Sequence, residues 1–162
     1  GNVFFLDDYR SMFNSTSDTI AIEYNACDIL LHPSQTEGFG LCTIEAQACG
    51  KPVIVQRSQS MPELIIEEKT GFIAETLYKR FTSDLSFTNV ANPKSVYECM
   101  EKAYGLIKKD KQKVEQECRE WIVNNFNIDT IVREKWVFLL EELQDELLGT
   151  KLTKVEESIT MS

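Results

Sequence analysis

The stretch Asp28-Ile29-Leu30-Leu31-His32-Pro33-Ser34-Gln35-Thr36-Glu37-Gly38-Phe39-Gly40-Leu41-Cys42-Thr43-Ile44-Glu45 decides the fold. Residues 28–32 are an apolar run stopped by Pro33, and they read as a strand. Residues 35–40 are a loop with glycines at 38 and 40. Leu41, Ile44 and Ala48 then recur at helical spacing, so 41–49 reads as a short helix. Gly50 ends it and Pro52 forbids its continuation. Val53, Ile54 and Val55 make the next strand, β-branched throughout.

Working outward, residues 3–6 read as a short buried strand and 19–26 as a helix packing through Ile20, Ile22, Tyr24 and Ala26. Residues 62–67 give one or two helical turns, and 71–74 a fourth strand. Strands that are continuous apolar runs, alternating with helices, predict a Rossmann-like α/β fold: a parallel sheet with helices on both faces. Residues 78–92 break the rhythm and read as an inserted loop or lid. C-terminal helices return at 93–108, with Val96, Met100, Ala103 and Leu106 on one stripe, and at 111–126, with Val114, Cys118, Trp121 and Ile122. Asp129 is the expected cap of a last helix reaching about Leu148. Gly149 ends that helix, leaving 150–162 as a mobile polar tail.

Composition narrows the function. The 162 residues carry 26 acidic and 17 basic side chains, a net charge of −9, which disfavours nucleic acid and anionic lipid as partners. No apolar run approaches the roughly 18 residues of a membrane span. The five cysteines, at 27, 42, 49, 99 and 118, are scattered and form no CxxC pair. They read as reduced thiols of a cytoplasmic protein, with Cys27, Cys42 and Cys49 acting as small apolar residues.

The glycine loop follows a strand end, where open parallel sheets bind ligands. Its glycines permit sharp turning and close approach. The helix starting at Leu41 points free N–H groups into the same space, which suits a diphosphate. Glu37 and Glu45, with seven residues between them, flank it. A carboxylate accepts two hydroxyl donors side by side, as vicinal sugar hydroxyls offer. Other readings stay open. The pair makes a poor metal site without a histidine or Asp-x-Asp beside it, and it is a conceivable acid/base couple. A solvated loop carboxylate and a helix-stabilising glutamate would also leave this pattern. Thr43 is placed to reach a phosphate or to cap. His32 and the two tryptophans, Trp121 and Trp136, read first as packing residues, and Arg57 as a weak candidate for base or phosphate.

A family resemblance rests on several stretches together. They are Asn25-Ala26-Cys27-Asp28-Ile29-Leu30-Leu31-His32-Pro33-Ser34, Glu37-Gly38-Phe39-Gly40-Leu41, Ile44-Glu45-Ala46, Ala48-Cys49-Gly50-Lys51-Pro52-Val53-Ile54, Pro62-Glu63-Leu64-Ile65 and Thr70-Gly71-Phe72. In order and spacing they resemble the C-terminal domain of retaining glycosyltransferases of family 4. The resemblance implies the two-Rossmann-domain GT-B fold, with residues 1–149 as part of the donor-binding domain. It implies a hexose passed from a nucleoside diphosphate sugar to a glycan, lipid or protein acceptor with retention. Glu37 matches the catalytic-site glutamate that contacts the transferred sugar, and Glu45 the one that holds the ribose. Gly38, Phe39, Gly40, Leu41, Cys42 and Thr43 match the segment cradling diphosphate and sugar. No metal or other cofactor is implied. The family's first two strands, its diphosphate-gripping Arg and Lys, and its acceptor domain have no counterpart here; Lys51, Arg57 and Lys69 are not at the matching positions. The chain is therefore expected to need an N-terminal domain for catalysis. A non-catalytic nucleotide-sugar-binding module and a nucleotide-sugar epimerase are the alternatives.

Overall fold

The computed structural model describes residues 16–83 and 85–160, with side chains as far as 148. The strand expected at 3–6 lies outside the described residues. The chain divides at residues 124 and 125 into two compact units.

The core of the first unit is a parallel sheet of β1 (Leu30–His32), β2 (Val53–Gln56) and β3 (Gly71–Ala74), in that order. Leu31 lies opposite Ile54, and Ile54 opposite Phe72, so these three share a face. The first half of α3 (Pro93–Phe126) covers that face through Cys99 and Ala103, with Val96 and Leu106 beside them. Val53 and Val55 point to the other face, where α2 (Leu41–Ala48) packs against β1 and β2. Both valines are fully buried. Strands at 53–56 and 71–74 thus form where β-branched and aromatic runs are expected, and the sheet is covered on both sides. β1 departs from expectation: Leu31 is 43% exposed, because β1 has β2 as its only strand partner among the described residues.

Helix α1 (Ser17–Ala26) starts earlier than its apolar pattern suggests. Thr16 and Thr19 cap it reciprocally. It buries no residue fully, and Ile22 and Ala26 are exposed. At about 100° per residue, positions 20 and 24 share one side and 22 and 26 the opposite one, so all four cannot pack together. Helix α3 holds the break expected near 109–110. Asp110 leaves helical geometry (φ −160°, ψ 85°), and its carboxylate accepts from the Lys113 N–H, starting the helix afresh. Beyond the break, Arg119 donates to the Ala48 carbonyl and Trp121 to that of Leu64. Cys118 is fully buried, and burial pushes its thiol up to about 12. Cys99 is buried too, whereas Cys27 and Cys42, expected to act as small apolar residues, are exposed.

The inserted loop expected at 78–92 is instead a β-hairpin. Strand β4 (Thr76–Phe81) pairs antiparallel with β5 (Phe87–Ala91), and Phe81 meets Phe87 edge to face across it. Its turn is closed by bonds between Thr82 and Ser86 rather than by a glycine.

In the second unit, Asn127 and not Asp129 caps α4 (Ile128–Ile131), its side chain accepting from the N–H groups of Asp129 and Thr130. A π-helical turn, Val132–Trp136, leads into α5 (Val137–Thr160). This helix runs through Gly149, where the sequence predicts its end, and on into the segment expected as a tail.

Ile54 sits fully buried between β1 and β3, at the centre of the α3-facing cluster. Ile54→Ala should cost about 2–5 kcal/mol, whereas Ile22→Ala on exposed α1 should stay within about 0.5 kcal/mol. Chemical denaturation of both variants checks the contrast.

Candidate functional site

The two glycines of the 35–40 loop do different work. Gly40 has φ +99° and sits immediately before α2. A Cβ there would lie 2.8 Å from both Leu64 Cδ1 and Met61 Sδ. Those two residues belong to a 3-10 turn, Met61–Leu64, where the sequence suggests helical turns at 62–67. The Leu64 carbonyl accepts from Gln47 Nε2 (3.0 Å) and Trp121 Nε1 (2.9 Å), so α2 and α3 both fix the surface on which Gly40 rests. Gly38, by contrast, is exposed, and a Cβ added to it would meet nothing within 4 Å.

Gly40 brings no side chain to the start of α2. Its carbonyl takes the N–H groups of Thr43 and Ile44. The Leu41 and Cys42 N–H groups have no acceptor within the helix, as for any first turn, and both residues are exposed. Phe39 is 47% exposed, and its carbonyl accepts from Ser60 Oγ at 3.0 Å. Thr43 is fully buried and its hydroxyl lies 3.1 Å from His32 Nδ1. Its hydroxyl thus meets the His32 ring and not solvent.

Glu37 and Glu45 each have a partner that spacing does not reveal. His32 Nε2 lies 3.7 Å from Glu37 Oε2, so the imidazole bridges buried Thr43 and the loop carboxylate. The Tyr24 hydroxyl donates to Glu45 Oε2 at 3.1 Å. Burial first, then hydrogen bonding with Cys42 and the charge of Glu45, pushes the Tyr24 phenol upward, so it stays protonated and remains a donor. Tyr24 and α2 also border a surface cavity of about 330 Å³ that includes Glu45 and Ala48.

Two loops brace the glycine loop. Gln59 Oε1 accepts the Glu37 N–H. From the hairpin, Asn89 donates its backbone N–H to the Gln35 carbonyl (3.3 Å) and its side-chain amide to Ser58 Oγ (2.7 Å). Arg57 pairs with Glu75: its Nε lies 2.9 and 3.1 Å from the two carboxylate oxygens. Lys51, 7% exposed, is 3.3 Å from Glu115. Among the described residues, no three His, Cys, Asp or Glu side chains converge as a metal site, and no helix is long and apolar enough to cross a membrane.

Solved structures share this architecture. Anabaena HepE in complex with UDP-glucose aligns with a TM-score of 0.54 at 21% identity, over 76% of this chain and 30% of that one. A sucrose-phosphate synthase from Thermosynechococcus elongatus aligns at 0.54 and 24% identity, over 81% and 28%. The fold is thus the α/β fold of GT-B-like glycosyltransferase structures. Residues 7–80 match the family model of glycosyl transferases group 1. The D-inositol 3-phosphate glycosyltransferase of Mycobacteroides abscessus is 41% identical over 61 residues, which make up 38% of this chain and 14% of that protein. Its counterpart in Corynebacterium glutamicum is 42% identical over 59 residues, 36% of this chain and 14% of that protein. The matched stretch spans about one seventh of these curated relatives.

The geometry separates the glycines by experiment. Gly40→Ala must place a side chain at φ +99° against Leu64 and Met61, and should cost about 1–3 kcal/mol. Gly38→Ala should leave stability within about 0.5 kcal/mol. Thermal unfolding of the two variants tests this; equal losses would mean the loop is not anchored at Gly40.

Proposed function

We propose that this chain carries the donor-binding part of a retaining glycosyltransferase. It holds a nucleoside diphosphate sugar without a metal, and a further domain of the whole protein supplies the acceptor. The observation behind this reading is the α2 N-terminus, left without a side-chain cap by Gly40, with a carboxylate before it and another one turn in. The group 1 match across this stretch supports it, as does the fold shared with a protein solved with UDP-glucose. Five free thiols fit a cytoplasmic setting.

In this reading the diphosphate lies against the Leu41 and Cys42 N–H groups, where the helix end adds roughly half a positive charge. Glu45, oriented by Tyr24, accepts the ribose hydroxyls. Glu37, oriented by His32, faces the transferred hexose. The protein's part is to fix the donor and stabilise the charge that builds on the leaving diphosphate.

Calorimetric titration with UDP, GDP and ADP should find one that binds. Glu45→Ala should weaken it about tenfold to a hundredfold, the value of charge-assisted hydrogen bonds. Bound nucleotide should also slow alkylation of Cys42 relative to exposed Cys27. Absence of binding by all three nucleotides, or full affinity in Glu45→Ala, sinks the reading.

A further inference from the structure

Gln59 stands where glycine is the natural residue for the backbone. Its φ is +48°, in the left-handed region that side chains enter at a cost of about 1–2 kcal/mol. It is exposed, so core packing does not compensate for that conformation. The backbone around it cannot relax, because its neighbours are tied down. Ser58 N–H donates to the Gln56 carbonyl, and Met61 N–H to the Ser58 carbonyl. Asn89 holds the Ser58 hydroxyl, and the Ser60 hydroxyl holds the Phe39 carbonyl. A strained residue kept at such a position points to work done by its side chain. One contact accounts for that work: the Gln59 side-chain carbonyl accepts the peptide N–H of Glu37.

We propose that Gln59 is a positioning residue for the sugar end of the donor site, fixing the Glu37 peptide and with it the direction of the Glu37 carboxylate. The inference rests on the donor-site reading above. Glu37 is then held twice. Gln59 fixes its backbone, and the His32 ring, seated on buried Thr43, lies 3.7 Å from its carboxylate. The left-handed backbone of Gln59 aims a long amide back over the loop. An asparagine at this position would accept the same backbone with a shorter reach, and a glycine would accept it with none.

This arrangement makes stability and sugar affinity move in opposite senses. Gln59→Gly relieves the left-handed strain, so its Tm should equal or exceed that of the parent chain. Its Glu37 amide should exchange with solvent at least tenfold faster by NMR. Calorimetry should show UDP-glucose bound about tenfold more weakly, with UDP affinity unchanged within twofold. Gln59→Glu keeps an acceptor at the same reach and should keep the amide protected. Unchanged Glu37 exchange in Gln59→Gly overturns the proposal whether or not any nucleotide binds. So does an equal loss for UDP and UDP-glucose accompanied by a lower Tm, which would make Gln59 a residue of loop stability alone. If the parent chain binds none of UDP, GDP, ADP and UDP-glucose while Glu37 exchange still rises in Gln59→Gly, the donor-site reading has failed and the proposed role falls with it; the hydrogen bond alone survives.

Discussion

The contact of Gly40 with the Met61–Leu64 turn is the constraint on which the site depends. A backbone with no Cβ lets α2 begin directly over Leu64 and Met61. The turn beneath is fixed by its Leu64 carbonyl, which Gln47 approaches from α2 and Trp121 from α3. The position of the helix end is therefore set by packing and backbone geometry from three separate stretches. Charge plays little part in it. A helix end so placed offers N–H groups at fixed coordinates, which is what preorganised binding of an anion requires.

Several of the cations that flank the sheet are already paired. Lys51 is committed to Glu115 and Arg57 to Glu75, and Lys111 lies 2.7 Å from Asp28, whose carboxyl it holds below the usual range. Each of these cations is cancelled where it stands. A helix terminus supplies only about half a charge. In a chain of net charge −9, directed N–H groups attract an anion more effectively than the general field does.

How much of this is legible in the sequence depends on how local each signal is. The strands at 53–56 and 71–74 announce themselves because β-branched and aromatic residues are bounded by Pro52, Gly71 and polar turns. The break at Asp110 is local as well. The hairpin at 76–91 is hidden for physical reasons. Its register slips between Thr76 and Tyr78, the adjacent cations Lys79 and Arg80 spoil any alternation, and its turn is closed by Thr82 and Ser86 instead of Asn-Gly. Asn127 does not stand out as a cap because Asp129 offers the same chemistry two residues later. Gly149 does not stop the last helix, since a glycine in mid-helix costs only about 1 kcal/mol.

The candidate site divides along the same line. Glu37, the glycines and Glu45 lie within nine consecutive residues, and helical and loop spacing alone suggest that they act together. Tyr24 and Gln59 bond to that segment from 21 and 22 residues away, and Asn89 bonds to Gln35 just before it from 54. No periodicity carries information over such separations, because those contacts exist only once β1, β2 and the hairpin are in register. His32 is nearer in sequence, yet its role depends on Thr43 being buried within the first turn of α2, and that burial is a property of the folded sheet. A motif therefore names groups of the right chemistry, while the aim of those groups is decided by residues the motif omits. Gln59 is the sharpest case. Its residue type says nothing, and its left-handed backbone, visible only in the fold, is what marks its side chain as part of the site.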